Sequence, residues 1–454
     1  MNNILVICSL ISLIVLAGCQ FGRRTSRIIA PTELQSTSTA PLPSESILEP
    51  TISAPTKSLP SQTAIMPTET LSSSIDADLK LGIHAANAVG EKRYVIIMAD
   101  FPDVERRLSE KLMADRLITR LSAYLDEASY HKLIFKGEMT KRYTMPNPVG
   151  YYKISPANLE VDRTRVVSLV NDAVNAADAD VYFTEDLYVI ILLGATPQEY
   201  GMIGYCALPG MLGYMDNKPI LTNSGEVVAN VVVFCENAHP GTHVHDTLHM
   251  LGGYADGRRM TPCLYDQDLQ ALHADSRDLG VIAVSMGYWD PLSSHVPYNR
   301  ELAPTGLSSW TKLRLGWIDP QKIALVNPGE TATIRLDPLI SDDADTLVIK
   351  IPITDATYYL VENRQLIGSD ASLPSSGVLV LFADDTVLES RHGDAPVKIM
   401  DANPSVPYFK DGAFDVGKND IFVDAGNNLA IVLLEKIGQS YDVLITTPDQ
   451  VQSE

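Results

Sequence analysis

The chain has 454 residues, 45% of them hydrophobic and 20% charged, so it can bury a sizeable core, and its length predicts two or three domains. The 56 Asp and Glu residues outnumber the 35 Lys and Arg residues, and the net charge of -21 excludes general binding to the phosphate backbone of nucleic acids. The five cysteines are too few for a scaffold built on disulfides.

The amino-terminal segment predicts export. Residues 4–17 form an uncharged apolar run that is shorter than a membrane span. The run leads into Gly18 and Cys19 and resembles the lipobox of bacterial lipoproteins, in which cleavage before the cysteine leaves a lipid attached to it. We expect residues 1–19 to be a signal peptide ending at Cys19, with the protein lipid-anchored at the extracellular face of a bacterial membrane. A secreted form and an uncleaved anchor are the alternatives.

A linker is predicted to follow the signal peptide. Residues 31–75 contain 25 Ser, Thr or Pro residues among 45, with no Gly and no aromatic residue. A segment of this composition cannot bury a core of its own. We therefore expect residues 20–84 to form an extended tether.

The rest of the chain divides into two regions with different patterns of hydrophobic residues. In the first region, the pattern predicts a strand at 93–103 and helices at 105–128 and 158–177, with a hairpin at 133–146 between the helices. Two further strands are predicted at 188–193 and 227–234. Strands that alternate with helices indicate an α/β (α+β) domain over residues 85–318. Residues 319–454 contain six short Val- and Ile-rich runs separated by turn residues, which predict an antiparallel β-sandwich domain.

Histidines are concentrated directly after the strand at 227–234. Four of the nine lie within one eleven-residue window: His239, His243, His245 and His249. Thr242 is a predicted helix N-cap, and Gly252 or Gly253 is a predicted helix end. His245 and His249 then stand at i and i+4 on one helix face, which is the spacing of the zinc-binding H-x-x-x-H pair. Asp246 supplies the carboxylate that a general base requires.

A helical pair supplies two ligands, whereas a catalytic zinc takes three from the protein. Asp256 is the predicted third ligand, because a carboxylate just past a glycine turn can fold back onto the metal. Its other interpretation is an ordinary Asp-Gly turn with Gly257. Asp266, Asp268 and His273 are the weaker substitutes.

Several further segments resemble segments of one family of proteins. They are residues 101–103, 129–133, 143–152, the helix ending at Gly252, 285–289, 306–317, 358–364 and 377–382. Together, over roughly residues 93–405, they resemble the immune inhibitor A family of secreted zinc metallopeptidases. The resemblance implies a zincin-like metallopeptidase domain that cleaves protein or peptide substrates with a metal-activated water.

The resemblance also implies roles for individual residues. His245 and His249 fall on the family's zinc ligands, and Asp246 falls on the general base, where the family has Glu. Met286 falls on the methionine-containing turn beneath the metal. The candidate donors for the oxyanion are Tyr288, His295 and Tyr298.

Other residues leave alternatives open. The aspartates at 342–345 and 384–385 can bind calcium or form solvated turns. A disulfide is expected between Cys263 and either Cys235 or Cys206, whereas ligation of zinc by cysteine is disfavoured. The predicted function is an exported, membrane-tethered zinc metallopeptidase. The alternative is a catalytically weak or inactive pseudopeptidase that acts as an extracellular binding or adhesion module.

Overall fold

The computed structural model describes residues 83, 85, 88–209, 212, 219–255, 257–276 and 278–451. The predicted signal peptide with Cys19, all of the predicted tether except residue 83, and Asp256 lie outside the described residues. The described residues fall within one compact unit, Glu69–Glu454. In this part of the chain, no helix combines the length and the apolar character that a membrane span requires.

The described chain has a mixed α/β structure with several sheets, as the sequence predicts. The strands are β1 (Gly90–Asp100), β2 (Leu133–Thr144), β3 (Leu187–Leu193), β4 (Gly204–Leu208), β5 (Ile220–Leu221), β6 (Val227–Val228), β7 (Asn230–Cys235), β8 (Tyr254–Ala255), β9 (Arg258–Arg259), β10 (Ile323–Leu325), β11 (Ala332–Leu336), β12 (Val348–Pro352), β13 (Thr357–Arg364), β14 (Gly377–Asp384), β15 (Val397–Ile399), β16 (Ile421–Asp424), β17 (Leu429–Ile437) and β18 (Ser440–Thr446). The α-helices are α1 (Glu110–Ala114), α2 (Leu121–Ala128), α3 (Val149–Tyr152), α4 (Arg163–Ala177), α5 (Pro197–Tyr200), α6 (Pro240–Gly252), α7 (Gln267–Leu272), α8 (Ser309–Arg314) and α9 (Pro448–Val451). A π-helical segment, Asp115–Arg120, joins α1 to α2.

The first sheet has the strand order β2-β1-β3-β7-β4. Strands β2, β1, β3 and β7 are parallel, and β4 pairs antiparallel with β7 at the edge. The hairpin predicted at 133–146 is wrong, because most of this segment is the single strand β2, which pairs in parallel with β1. Parallel neighbours need a crossover connection, and α1, the π-helical segment and α2 provide it.

Both faces of the first sheet are buried. On β1, Tyr94 and Ile96 belong to one hydrophobic cluster together with side chains of α1, α2 and α6. Val95 and Ile97 point to the opposite face and belong to a second cluster with side chains of α4. Burial on both faces explains why the central strands are continuous apolar runs in the sequence.

Strands β10 to β18 form two further sheets, with orders β10-β12-β13-β14-β15 and β11-β18-β17-β16. All six predicted strand runs are present. Side chains from both sheets, among them Val361 and Val443, share one buried cluster. Leu360 points to the other face of β13 and packs in the same cluster as Trp310 of α8. The β13 sheet therefore has a hydrophobic layer on each side.

A buried ionic cluster ties β13 to the segment before α8. Arg364 is fully buried and pairs with Glu362 at 2.9 Å and with Asp370 at 2.7 Å. Its guanidinium also donates to the backbone carbonyls of Trp289 at 3.1 Å and Gly306 at 3.0 Å. Buried ion pairs are tolerated only when their remaining hydrogen-bonding capacity is used, and here the two carbonyls use it.

Lys312 on α8 is a buried cation close to this cluster. It is 3% exposed, and its ammonium lies 4.0 Å from the centre of the Tyr130 ring. Burial lowers the pKa of Lys312 to about 7. The charged form of this lysine is therefore disfavoured in the folded protein.

Replacing Lys312 by methionine tests this burial. The lysine has an ordinary pKa of 10.5, so the unfolded chain binds more protons than the folded chain between about pH 7 and that value. The free energy of unfolding of the wild type should therefore rise by about 2 kcal/mol more than that of Lys312→Met between about pH 7 and 9. Urea denaturation at both pH values measures the difference, and Lys136→Met at an exposed position is the control. Identical pH slopes for the wild type and Lys312→Met would contradict the lowered pKa of Lys312.

Candidate metal centre and active site

Helix α6 carries the histidine motif and follows β7 after a short turn. Its N-cap is His239, whose Nδ1 accepts a hydrogen bond from the Gly241 amide at 3.0 Å. Pro240 occupies the first helical position, where its missing N–H has no consequence. Gly253 ends the helix with φ of 66°, a left-handed conformation that glycine adopts without strain. The predicted cap at Thr242 is wrong, because the helix begins two residues earlier.

His245 and His249 bring their rings together on one face of α6. The two Nε2 atoms are 3.0 Å apart. Nδ1 of His245 donates to the carbonyl oxygen of Pro291 at 2.8 Å, and Nδ1 of His249 donates to that of Thr261 at 2.5 Å. A carbonyl oxygen can only accept, so each Nδ1 carries the proton. Both Nε2 atoms are therefore available as ligands.

Cys263 completes a group of three donors. Its Sγ lies 3.3 Å from Nε2 of His249 and 3.8 Å from Nε2 of His245. All three residues are buried, and their ligand atoms lie within 4.8 Å of one another. The predicted disulfide is wrong, because Cys206, Cys235 and Cys263 are all free thiols. The cysteine that the sequence disfavours as a ligand is the one that lies beside the imidazoles.

The spacing of these donors suits a tetrahedral metal ion. Zinc bonds of about 2.0–2.1 Å to nitrogen and about 2.3 Å to sulfur put neighbouring donors about 3.3–3.6 Å apart. The three separations in this group are 3.0, 3.3 and 3.8 Å. Two unprotonated imidazole nitrogens at the shortest of these separations repel each other unless a cation is shared between them. The group can hold a metal ion.

Burial sets the protonation of the three donors. It lowers the pKa of His245 to about 4 and holds the pKa of His249 well below its ordinary range. Burial also raises the pKa of the Cys263 thiol to about 11, against a hydrogen bond from Tyr265 that lowers it. The imidazoles are thus neutral and ready to bind, whereas the thiol must release its proton to the solvent when a metal binds.

Asp246 follows His245 on α6 and is buried against β4. A Cβ atom on Gly204 would lie 2.9 Å from Oδ2 of Asp246 and 2.8 Å from Cγ2 of Thr242, so the glycine makes room for the carboxylate. Burial raises the pKa of Asp246 well above its ordinary value, partly offset by a hydrogen bond from the backbone of Cys206. The predicted general base is therefore a buried carboxyl group held at the edge strand of the first sheet.

A cavity of about 640 Å³ lies beside the donor group, and Asp246 and all three donors line it. Tyr265 lines the same cavity, and its ring stacks on His245 with centroids 5.7 Å apart. Tyr265 was not among the residues predicted for the site, and its position two residues after Cys263 is the signal that links the two. The His295 ring also lines the cavity, 4.9 Å from the His245 ring.

The three predicted oxyanion donors lie in different places. His295 is the one among them that lines the cavity in the described part of the chain. Tyr288 donates its hydroxyl to Asp278 at 3.0 Å. Tyr298 is 44% exposed, and its ring lies 6.4 Å from the ring of Tyr288. The structure thus brings one of the three predicted donors to the cavity.

The remaining predicted residues have assignable positions, apart from Asp256, which lies outside the described residues. Met286 is fully buried in the hydrophobic cluster that also contains α6 side chains. Asp266 caps α7, and Asp268 pairs with Arg391 at 2.9 Å. His273 lines the cavity. Of the weaker candidates for the third ligand, His273 therefore lines the same cavity as the donor group, but it does not belong to that group.

The aspartate runs considered for calcium do not gather into a group of metal ligands. Among the residues that the structure describes, His245, His249 and Cys263 form the one group of three close metal-ligating side chains. Asp385 instead accepts hydrogen bonds from Arg314 at 2.8 Å and from Tyr358 at 3.3 Å. Its contacts are those of a structural ion pair.

Comparisons with known proteins find a weak structural similarity to a solved metalloproteinase. No family profile matches the chain, and no curated protein matches it. Solved structures that match include metalloproteinase-II from Bacteroides fragilis, at 15% sequence identity and a TM-score of 0.26. The match covers 52% of this chain and 55% of that one, so the chain spans about half the length of that protein. The geometry of the donor group carries the functional argument.

Proposed function

We propose that this protein is a zinc-dependent peptidase whose metal is held by His245, His249 and Cys263. One observation carries the proposal. The two imidazoles, each fixed by a hydrogen bond from Nδ1 to a carbonyl, approach with Nε2 atoms 3.0 Å apart beside a buried thiol. This orientation by backbone carbonyls is the usual arrangement of histidines that bind a metal.

The donor set favours zinc over harder cations. Thiolate and imidazole ligands together select zinc among the common divalent ions, whereas magnesium and calcium prefer oxygen. Three protein ligands leave a fourth position of a tetrahedral ion open. All three donors line the cavity of about 640 Å³, which gives a substrate access to that position.

The residues around the site fit peptide hydrolysis. When bound, zinc supplies Lewis-acid polarisation of the scissile carbonyl and acidifies water. In this proposal Asp246, which lines the same cavity, accepts a proton and passes it to the leaving amine. His295 can donate to the carbonyl oxygen of a substrate, because its Nδ1 lines the site without a hydrogen-bond partner among the described residues.

We extend the proposal to fold and location. The folded chain is a zincin-like domain at 85–318 followed by a β-sandwich at 319–454. Support comes from α6, which follows the mostly parallel sheet and carries Asp246 against the antiparallel edge strand β4, and from the cluster shared by the last two sheets. Export and membrane tethering rest on residues 1–84 of the sequence, which predict a lipidated Cys19 and an extended linker.

A second function, a pseudopeptidase that binds peptides without cleaving them, is favoured by the state of Asp246. Its carboxyl group is buried, is bonded to the backbone of Cys206 and has a raised pKa. An aspartate is also one methylene shorter than the glutamate found in the family that the sequence resembles. A misplacement of about 1 Å can cost on the order of a hundredfold in rate.

Metal analysis of residues 20–454, produced with a histidine-free tag, tests the donor set. The wild type should contain about one zinc per chain by mass spectrometry, since the described residues offer one group of three close ligands. His249→Ala and Cys263→Ala should each weaken zinc binding by more than the roughly 10–100-fold loss typical of outer-sphere changes. His243→Ala and Cys235→Ala are matched controls, because both residues are buried and lie outside the donor group. Full zinc affinity in Cys263→Ala would show that the third ligand lies elsewhere.

Cleavage assays with Asp246 variants separate the two functions. Asp246→Asn should lower kcat by about 10²–10⁴-fold at unchanged zinc content, because the amide cannot accept the proton. Asp246→Glu should keep cleavage, since it retains a carboxylate and adds reach. Fluorogenic peptides measure kcat, and zinc content measured on the same samples controls for the fold. If neither the wild type nor Asp246→Glu cleaves peptides although zinc is bound, the result would favour the pseudopeptidase that binds peptides without cleaving them.

A further inference from the structure

A glutamine side chain of α7 binds the backbone of a distant segment that lines the same cavity. Asn158 donates its backbone N–H to Oε1 of Gln270 at 2.8 Å, and Nε2 of Gln270 donates to the backbone carbonyl of Pro156 at 3.0 Å. All three residues line the cavity that contains the donor group. An N–H can only donate and a carbonyl can only accept, so these two partners fix which end of the amide faces which atom.

The pattern of these two hydrogen bonds is that of a peptide strand. Between the two partners lies Ala157, whose backbone is extended, with φ of −80° and ψ of 117°. In a parallel β pair, one residue accepts from the N–H of a partner residue and donates to the carbonyl of the residue two positions before that partner. The Gln270 amide makes both of these bonds, so it takes the place of one residue of a bound peptide.

Each side of this contact is also held by bonds that do not involve Gln270. The amide of Ile154 donates to the carbonyl of Tyr200 at 2.9 Å, which ties the chain just before this segment to α5. Helix α7 is fixed at its start, where the Gln267 amide donates to the carbonyl of Ser390 at 3.0 Å. The Gln270 side chain can therefore leave the segment while both walls of the cavity stay in place.

We propose that residues 156–158 form a subsite for the backbone of a peptide, and that Gln270 occupies this subsite until a peptide displaces it. The inference rests on the proposed peptidase function, because it takes the ligand of the cavity to be a peptide. Every residue except proline offers the same N–H and C=O pair, so the subsite recognises an extended backbone of varied sequence. Displacement exchanges two hydrogen bonds for two of the same kind, so the exchange costs little.

Removal of the Gln270 side chain tests whether it competes with peptides. A fluorescein-labelled pool of random peptides is bound to the zinc-loaded protein carrying Asp246→Asn, so that cleavage does not interfere, and anisotropy measures Kd. Adding Gln270→Ala should lower Kd about 5- to 30-fold, because the peptide no longer displaces two internal hydrogen bonds. Alanine favours a helix, so α7 is retained.

Gln267→Ala is the matched control. It removes the same kind of side chain from the same helix and the same cavity, but Gln267 bonds to the side chain of Glu389 at 3.2 Å and not to a backbone. It should therefore leave Kd nearly unchanged. An unchanged or higher Kd in Gln270→Ala, or an equal decrease in both variants, would overturn the inference.

A second pair of variants assigns the gain to the backbone donor. In the Gln270→Ala protein, Asn158→Pro removes the N–H, whereas Asn158→Ala keeps it and removes only the side chain. Proline suits this position, because the residue before it is extended and Asn158 begins a 3-10 turn, whose φ is close to that of proline. Asn158→Pro should raise Kd by about 5-fold relative to Asn158→Ala. Equal Kd values in these two proteins would overturn the role of this N–H.

Cleavage tests the proposed function separately. If the zinc-loaded wild type cleaves none of the pooled peptides, the proposed peptidase fails, whereas the Kd values still decide whether the subsite exists. If peptides are cleaved but Gln270→Ala does not bind them more tightly, the subsite fails and the peptidase stands. Absence of peptide binding in every variant would also overturn the inference.

Discussion

Two hydrogen bonds from imidazole nitrogens to backbone carbonyls determine the geometry of the donor group, and the surrounding structure holds those carbonyls in place. His245 depends on the carbonyl of Pro291. The turn that presents it is held on both sides: Asp290 accepts from the Leu292 amide at 2.8 Å, and Arg364 donates to the Trp289 carbonyl at 3.1 Å. The ionic cluster of β13 thus supports His245 of α6, which lies much earlier in the chain.

The other hydrogen bond depends on close backbone approach. His249 donates to the backbone carbonyl of Thr261. The side-chain hydroxyl of Thr261 in turn donates to the backbone carbonyl of Leu248 at 2.8 Å. A Cβ on Gly252 would lie 2.1 Å from the Thr261 hydroxyl oxygen, so glycine at this position lets the returning segment pack against the helix. Cys263 follows Thr261 by two residues and is placed against the imidazoles by the same approach. Gly252 therefore allows the approach that brings in the third donor, and the next residue, Gly253, ends α6.

The parts of this structure that follow from local spacing were predictable, and those that depend on distant pairing were not. The pairing of His245 and His249 follows from helix geometry alone, and the strands of the second half follow from their apolar runs and turns. The place of Cys263 depends on how the chain folds back after α6, which has no periodic signal, so a disulfide was the natural expectation. The predicted hairpin at 133–146 failed for the same reason. Its alternating pattern fits a strand in either direction, and the parallel partner β1 is distant in sequence.

X-ray absorption at the zinc edge tests the central claim most directly, because it reports the ligand atoms themselves. We predict one sulfur at about 2.3 Å and two imidazole nitrogens at about 2.0–2.1 Å, with the sulfur lost in Cys263→Ala. Bound zinc whose coordination shell contains nitrogen and oxygen but no sulfur would contradict the assignment of Cys263 and would require a different third ligand.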